Sequence, residues 1–406
     1  MTKPLQGTVD LPGSKSESNR ALMIAAYGGF PLEAKNFSEA HDTVLLQALL
    51  KQVNSPNTSE PVVVDCEDAG TVARFMMTYL AGKPGTWVLT GTERLCQRPM
   101  APLVDSLRQL GAEIDTVALP AVIHGKELGG GAVTLDASQS SQFASSLLMA
   151  APTWKDGLRL RLNGNPVSMP YLEMTVKMME HFGAHVMRNA NEIVVAPQPY
   201  RSRLFEVSSD WSAASYWYEM MALDDGGELL LKGLKSDSLQ GDSAAVEMFS
   251  KLGVKSEFVE TGVLISRLPQ EKTTHLQPVV FDFKNVPDLF PAIFVTCVVL
   301  HINSVFNSIS TLYNKESDRI NSLFIELQKL YTFINIVSDD SIIIKEISLT
   351  GNWYNNKNVI FNTYHDHRIA MALASLGRKF KNVTVDNHDV VNKSYPGFWR
   401  QFLNFI

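Results

Sequence analysis

Eight cations of this chain stand beside residues that turn a backbone or start a helix: Lys15 and Arg20 in LPGSKSESNR, Arg74 in DAGTVARF, Arg98 in LTGTERLCQRPM, Lys315 and Arg319 in KESDRI, Arg368 in DHRIAMA, and Lys393 in KSYPGF. Several have Ser, Thr or Gly neighbours that leave backbone N–H groups unengaged, and helix starts of that kind attract anions. Arg adds two-pronged hydrogen bonding to carboxylate or phosphate. The chain is nevertheless acidic, with 36 Lys and Arg against 42 Asp and Glu. That is the wrong sign for a nucleic-acid binder. Cations so placed on an acidic protein point to small ligands carrying phosphate and carboxylate.

Each motif alone has a plainer reading. SKSESNR is a helix cap with solvated charges, and KESDRI is an exposed charge ladder. His365 and His367 lack the further ligands that a metal needs. GSKS ends like a phosphate-binding P-loop, but Val9 and Ser14 stand where that loop requires glycine, which removes the ATP reading. The set carries the signal.

These residues need elements to hold them. A length of 406 residues suggests two or three domains. Hydrophobic content of 45% with 19% charged residues describes a soluble globular chain. The run AIFVTCVVLHI at 292–302 is too short to span a bilayer and reads as buried core. MTKPLQGTVD has no apolar stretch of the secretory kind. Cys66, Cys96 and Cys297 are odd in number and show no CxxC spacing, which fits a reducing cytoplasm and gives no support for disulfides or structural zinc.

One pattern recurs: an amphipathic helix ends in Leu or Phe, then Gly, then a short strand. It appears as VDSLRQLGAEIDTV, KMMEHFGAHVMR and VEMFSKLGVKSEFV, turning at Gly111, Gly183 and Gly253. The glycines suit left-handed C-caps. FIELQKLYTFINIV repeats the pattern with Tyr331 in the glycine's place, and weaker copies end near Val53 and in FWRQFLNFI. Six helix ends at intervals of roughly 60–75 residues predict repeated supersecondary units, in two groups of three. Asn plus Ile number 27 in the last 106 residues and 15 in the first 300. The motifs run across position 300, so this is a change of composition and not a domain boundary.

LPGSKSESNR, DAGTVARF, LTGTERLCQRPM, SSQFASSLLMAAP, SMPYLEMT, DWSAASYW, PDLFPA, KESDRI, DHRIAMA and KSYPGF follow one another over nearly the whole chain. In order and spacing they closely resemble the enolpyruvyl transferases, specifically the 5-enolpyruvylshikimate-3-phosphate synthase family. The resemblance implies an α/β fold, a two-lobed inside-out α/β barrel with three βαβαββ units in each lobe. One lobe would span 14–207, the other 1–13 and 208–406, with a hinge near 12–14 and 205–209.

It further implies transfer of the enolpyruvyl group of phosphoenolpyruvate to the 5-hydroxyl of shikimate 3-phosphate, releasing phosphate, in chorismate and aromatic amino acid biosynthesis. The enzyme would be a cytoplasmic monomer, with no metal, cofactor, nucleic-acid or membrane partner. By similarity Lys15, Ser16, Arg20, Ser140, Ser141, Gln142, Ser168, Tyr171, Asp288, Thr311 and Lys315 would bind shikimate 3-phosphate. Lys15, Gly70, Arg98, Gln142, Arg319, Arg368 and Lys393 would bind phosphoenolpyruvate. Asp288, Glu316 and Lys15 would be catalytic, Asp288 accepting the hydroxyl proton and Glu316 exchanging one at the methylene carbon. Lys315 would steady Asp288, and His367 would support the site without titrating in it.

Three positions depart from the family pattern: Asp68 and Thr311 stand where Asn is usual, and Tyr331 replaces the helix-ending glycine. Gly70 retains a position without a methyl group, which on the family pattern implies sensitivity to glyphosate. The sister enzyme acting on UDP-N-acetylglucosamine shares the chemistry, but its reactive cysteine lies five residues ahead of the Arg. Here Cys96 lies two residues ahead of Arg98. A catalytically silent member of the fold is the remaining alternative.

Overall fold

A computed structural model describes residues 3–55, 61–189, 192–269, 277–349 and 358–406. The chain divides into two compact units, Lys15–Val207 and Met1–Ser14 with Ser208–Ile406.

In the Lys15–Val207 unit the helices are α1 (Lys15–Gly28), α2 (His41–Asn54), α3 (Gly70–Ala81), α4 (Glu93–Cys96), α5 (Ala101–Gln109), α6 (Ser141–Ala150) and α7 (Met169–His181). Nearly every residue of α3 and α6, and Glu17–Ala25 of α1, is buried. A mostly apolar helix such as α3 has to lie inside, and α1, which buries Glu17, Asn19 and Arg20 as well as apolar residues, packs with α3 and α6 at the centre. The sheets lie outside them. Strands such as Leu158–Asn163 alternate buried and exposed residues, one face on the helices and one on solvent.

The other unit repeats the scheme with α8 (Trp211–Leu223), α9 (Ala245–Ser250), α10 (Phe290–Val299), α11 (Arg319–Leu327), α12 (His367–Ala374) and α13 (Phe398–Phe402). Here α8, α10 and α12 form the buried centre. Residues 292–299 of the apolar run read as core lie in α10, every residue of which is buried; beyond it Leu300 and Ile302 are half-buried and His301 is exposed. No helix among the described residues is long and apolar enough to cross a membrane.

Four sheets share one design. In Gly131–Asp136, Leu158–Asn163, Val186–Asn189 and Glu192–Val195, for example, the first pair is parallel and the remaining pairings are antiparallel. That is a βαβαββ unit with α6 as crossover and α7 before the hairpin. The other two sheets are parallel pairs, Ala34–Lys35 with Phe205–Glu206 and Val359–Phe361 with Val383–Val385. Among the described residues six units are present, four complete and two reduced to a strand pair.

The recurring glycines cap helices as their spacing predicts: Gly111, Gly183 and Gly253 have φ of +94°, +94° and +84°. Tyr331 is the first residue of the strand Tyr331–Val337 and is buried. Helix α11 therefore closes without a left-handed residue, through Lys329 N–H to Glu326 C=O and Leu330 N–H to Leu327 C=O.

The segments at 12–14 and 208–210 run side by side. Asp210 N–H donates to Pro12 C=O at 2.9 Å and Ser14 N–H to Ser208 C=O at 2.8 Å. Gln240 fixes the second of them, accepting from Trp211 N–H and donating to Ser209 C=O, each at 2.9 Å.

Candidate active site

The sequence-derived residues gather at helix starts in both units. In the Lys15–Val207 unit, Lys15 and Ser16 open α1 and Gly70 opens α3. Ser140 caps α6, accepting from Gln142 N–H, and Ser141 and Gln142 follow it. Ser168 precedes α7 in a left-handed conformation (φ 54°, ψ 40°), with Tyr171 in the first turn. A serine there is strained by about 1 kcal/mol relative to glycine. Both tolerated strain and helix starts rich in N–H groups mark ligand sites.

Arg20 lies one and a half turns into α1 and is 1% exposed. Its Nε donates to Thr175 Oγ1 at 2.7 Å and its Nη1 to Ser16 C=O at 3.0 Å. Nη2 reaches Ser145 Oγ and Tyr171 C=O, both at 3.4 Å. The guanidinium lies over the rings of Phe75 and Tyr171. All of these hydrogen-bond acceptors are neutral. Burial lowers the Arg20 pKa to about 10, opposed by Tyr171 and Glu17, so it stays charged at neutral pH. A buried cation among neutral acceptors is a place for an anion.

A second cationic place lies over Gly70. A Cβ built on Gly70 would stand 2.5 Å from Arg98 Nη1 and 2.6 Å from Arg74 Nη1. The two Nη1 atoms are therefore no more than about 5.1 Å apart, the sum of those distances. Arg74 also donates to Gln142 Oε1 at 3.0 Å and to Pro99 C=O at 3.2 Å, and Gln142 Nε2 donates to Thr71 Oγ1 at 2.9 Å. Gln142 is thereby fixed beside Arg74. Lys15 pairs with the buried Asp42 at 2.9 Å.

In the other unit Asp288 sits in the turn Pro287–Leu289 before α10, and Lys315 and Glu316 lie between the turn Ser310–Asn314 and α11. Arg319, 1% exposed, opens α11 and binds three carboxylates at 2.9 Å each: Nη1 to Asp288, Nη2 to Glu316 and Nε to Asp366. Arg368 opens α12 with His367 and donates to the other Asp288 oxygen at 2.8 Å. Burial alone would raise the Asp288 pKa, but Arg368, Arg319 and Lys315 together hold it well below the usual carboxylate range. Lys393 is buried at the end of the turn Asp389–Lys393, which packs on α12. His367 is buried too. Thr311 lies half-buried in the turn Ser310–Asn314.

The structure thus brings Asp288, Glu316, Arg319 and Arg368 into one cluster, with Lys315 acting on it electrostatically. It brings Lys15, Ser16, Gly70, Ser140, Ser141, Gln142, Ser168 and Tyr171 to helix starts of the other unit, with Arg20 further along α1 and Arg98 in the loop between α4 and α5, over Gly70. Sequence reasoning missed Asp42, Ser145, Thr175 and Asp366 and gave Arg74 no role. Asp366 had a signal, since it caps α12 by accepting from Arg368 N–H and stands inside the HDHR motif. The others meet the site only through packing.

Residues 1–402 match the family model described as EPSP synthase (3-phosphoshikimate 1-carboxyvinyltransferase). The 3-phosphoshikimate 1-carboxyvinyltransferase of Bacteroides fragilis is 40% identical over 401 residues, covering 97% of this chain and 94% of the relative. That of Methanosphaerula palustris is 34% identical, with 97% and 96% covered. In fold, the chain is similar to EPSP synthase from Acinetobacter baumannii (TM-score 0.74, 21% identity, 100% and 96% covered). The enolpyruvyl transferase NikO from Streptomyces tendae is similar too (TM-score 0.74, 14% identity, 99% and 95% covered). Full-length agreement of this kind shows that the chain belongs to the EPSP synthase family.

Proposed function

We propose that this protein transfers the enolpyruvyl group of phosphoenolpyruvate to the 5-hydroxyl of shikimate 3-phosphate and releases phosphate. The observation that carries the reading is Asp288 held between Arg319 and Arg368, with Glu316 on the same Arg319. That cluster joins acid–base groups to cations suited to an anionic substrate.

The reaction is an addition followed by an elimination. The 5-hydroxyl oxygen attacks C2 of phosphoenolpyruvate, its proton passes to Asp288, and the methylene carbon gains a proton from Glu316, which enters the reaction protonated once substrate has drawn Arg319 away from it. In the elimination the new methyl group returns a proton to Glu316, the C–O bond to phosphate breaks, and the proton held by Asp288 leaves with the phosphate. Asp288 is a weak base while both arginines claim it. A substrate carboxylate or phosphate that draws on Arg319 and Arg368 relieves that hold and raises its basicity, so base strength rises as the substrate arrives.

In this reading Arg20, Ser16, Ser140, Ser141, Gln142, Ser168 and Tyr171 bind shikimate 3-phosphate, together with Thr311 and Lys315. Arg98, Arg319, Arg368, Lys393 and Lys15 bind phosphoenolpyruvate, and Gly70 keeps the approach to Arg98 open. Arg74 joins them, supported by its place over Gly70. The segments near 12–14 and 205–209 serve as the hinge, and the protein works as a cytoplasmic monomer on free metabolites.

Phosphate release with both substrates is the test. Release with shikimate 3-phosphate and none with UDP-N-acetylglucosamine is expected. Release with the UDP-sugar alone, or none from folded protein, overturns the reading.

A further inference from the structure

Helix α11 grips the segment before α12 at two points. Arg319, its first residue, binds Asp366 through Nε at 2.9 Å. Glu326 stands seven residues further on, two turns of helix and therefore on the same face. Its side chain is fully buried. Oε2 accepts from Asn362 N–H at 2.8 Å, and Oε1 accepts from the Tyr364 hydroxyl at 2.8 Å and from Asn362 Nδ2 at 3.2 Å. Lys329 pairs with Oε2 and donates to Ile360 C=O at 2.9 Å. Thr363, between the two residues that Glu326 holds, donates its N–H to Asp386 Oδ1 at 2.9 Å.

The segment so held is strained. Tyr364 and His365 have φ of 53° and 55°, in the left-handed region, and neither is glycine. Two such residues in succession persist only where their surroundings fix them. Directly after them comes Asp366, whose N–H donates to Thr363 C=O at 2.9 Å. Asp366 accepts from Arg319 Nε and from the Ser317 hydroxyl, and it caps α12 by accepting from Arg368 N–H. Arg319 and Arg368 in turn hold the two oxygens of Asp288. Hydrogen bonds and the short turn at 364–366 therefore join Glu326 to both arginines.

We propose that Glu326 is a positioning residue for the transfer reaction: it holds Asn362 and Tyr364 in the turn that sets Asp366, and so aims Arg319 and Arg368 at Asp288 and the anionic substrate. The proposal rests on the functional reading above. Loosening the turn would free Asp366 and let both guanidiniums shift, and a misplacement of about 1 Å is enough to cost about 100-fold in rate.

The test is phosphate release against phosphoenolpyruvate at saturating shikimate 3-phosphate, with rates counted per folded molecule by circular dichroism. Tyr364→Phe removes one bond to Glu326 and should raise the KM for phosphoenolpyruvate about 3- to 10-fold. Glu326→Ala removes all of them and should lower kcat/KM about 30- to 100-fold. Glu326→Gln should stay within about threefold of the original, because the amide oxygen can accept from Asn362 N–H while its NH2 donates to the Tyr364 oxygen. If Glu326→Ala does not fold, the other two variants decide. Kinetic constants within about twofold of the original in Tyr364→Phe would leave Glu326 a stability residue only and overturn the proposal. Glu326→Gln losing as much as Glu326→Ala would overturn it too, since charge and not position would then be at work. No phosphate release from the unaltered protein would count against the functional reading, whereas a turn at 364–366 that stays in place in a crystal structure of Tyr364→Phe would count against the positioning alone.

Discussion

Gly70→Ala isolates the anion site over α3. Gly70 opens that helix and needs no left-handed backbone, so alanine is acceptable there and improves helix propensity by roughly 0.5–1 kcal/mol. The fold should survive. The new methyl, however, would stand 2.5 Å from Arg98 Nη1 and 2.6 Å from Arg74 Nη1. To reach an ordinary contact of 3.4 Å, Arg98 Nη1 must retreat by about 0.9 Å. It can do so, being the end of a flexible side chain. A hydrogen bond from a charged group contributes about 1.5–3 kcal/mol, and a 0.9 Å displacement is enough to lose one. The KM for phosphoenolpyruvate should therefore rise about 10- to 100-fold, with kcat within a few-fold and an undiminished melting temperature. Inhibition by glyphosate, expected of the unaltered protein, should weaken in parallel. Phosphate release measured against phosphoenolpyruvate, at saturating shikimate 3-phosphate, reads the effect. A KM within twofold of the original would refute the placement of the anion, and a lower melting temperature would refute the claim that only side-chain ends are displaced.

Asp288→Asn and Glu316→Gln should each lower kcat by about 10²- to 10⁴-fold, the scale of lost acid–base catalysis. Single-turnover kinetics should assign the loss to the chemical step, and equal small losses in both would mean that the proton-handling groups lie elsewhere. Arg319→Met leaves three carboxylates without their shared buried cation and should cost about 3–5 kcal/mol of stability. Urea unfolding measures it, and a loss under about 1 kcal/mol would contradict the network. Ser168→Gly should relieve left-handed strain and stabilise the protein by about 1 kcal/mol, while raising the KM for shikimate 3-phosphate roughly two- to tenfold through the lost hydroxyl. A destabilised variant would show that the Ser168 conformation is not strained.

Much of the site was legible because its residues occupy helix starts, and helix starts are local. LPGSKSESNR, DAGTVARF and KESDRI carry their turn or cap signals within a few residues of the cation they present. The glycine-capped repeats were legible for the same reason. Tyr331 was the exception: the strand Tyr331–Val337 begins at once, and Leu330 and Lys329 close the helix through their own N–H groups, a backbone outcome that no side chain announces. The two reduced sheets were not legible, because a strand pair such as Ala34–Lys35 with Phe205–Glu206 joins residues far apart in sequence.

The amino-acid order by itself determined the repeated units, the buried α10 and the cations that open helices, since periodicity, capping and charge are properties of neighbours along the chain. Only the tertiary structure decided which charges share a partner. Arg319 takes Asp288, Glu316 and Asp366 together, and Arg98 meets Arg74 over Gly70. The physical reason is that electrostatic strength depends on distance and burial, and both are set by how helices pack.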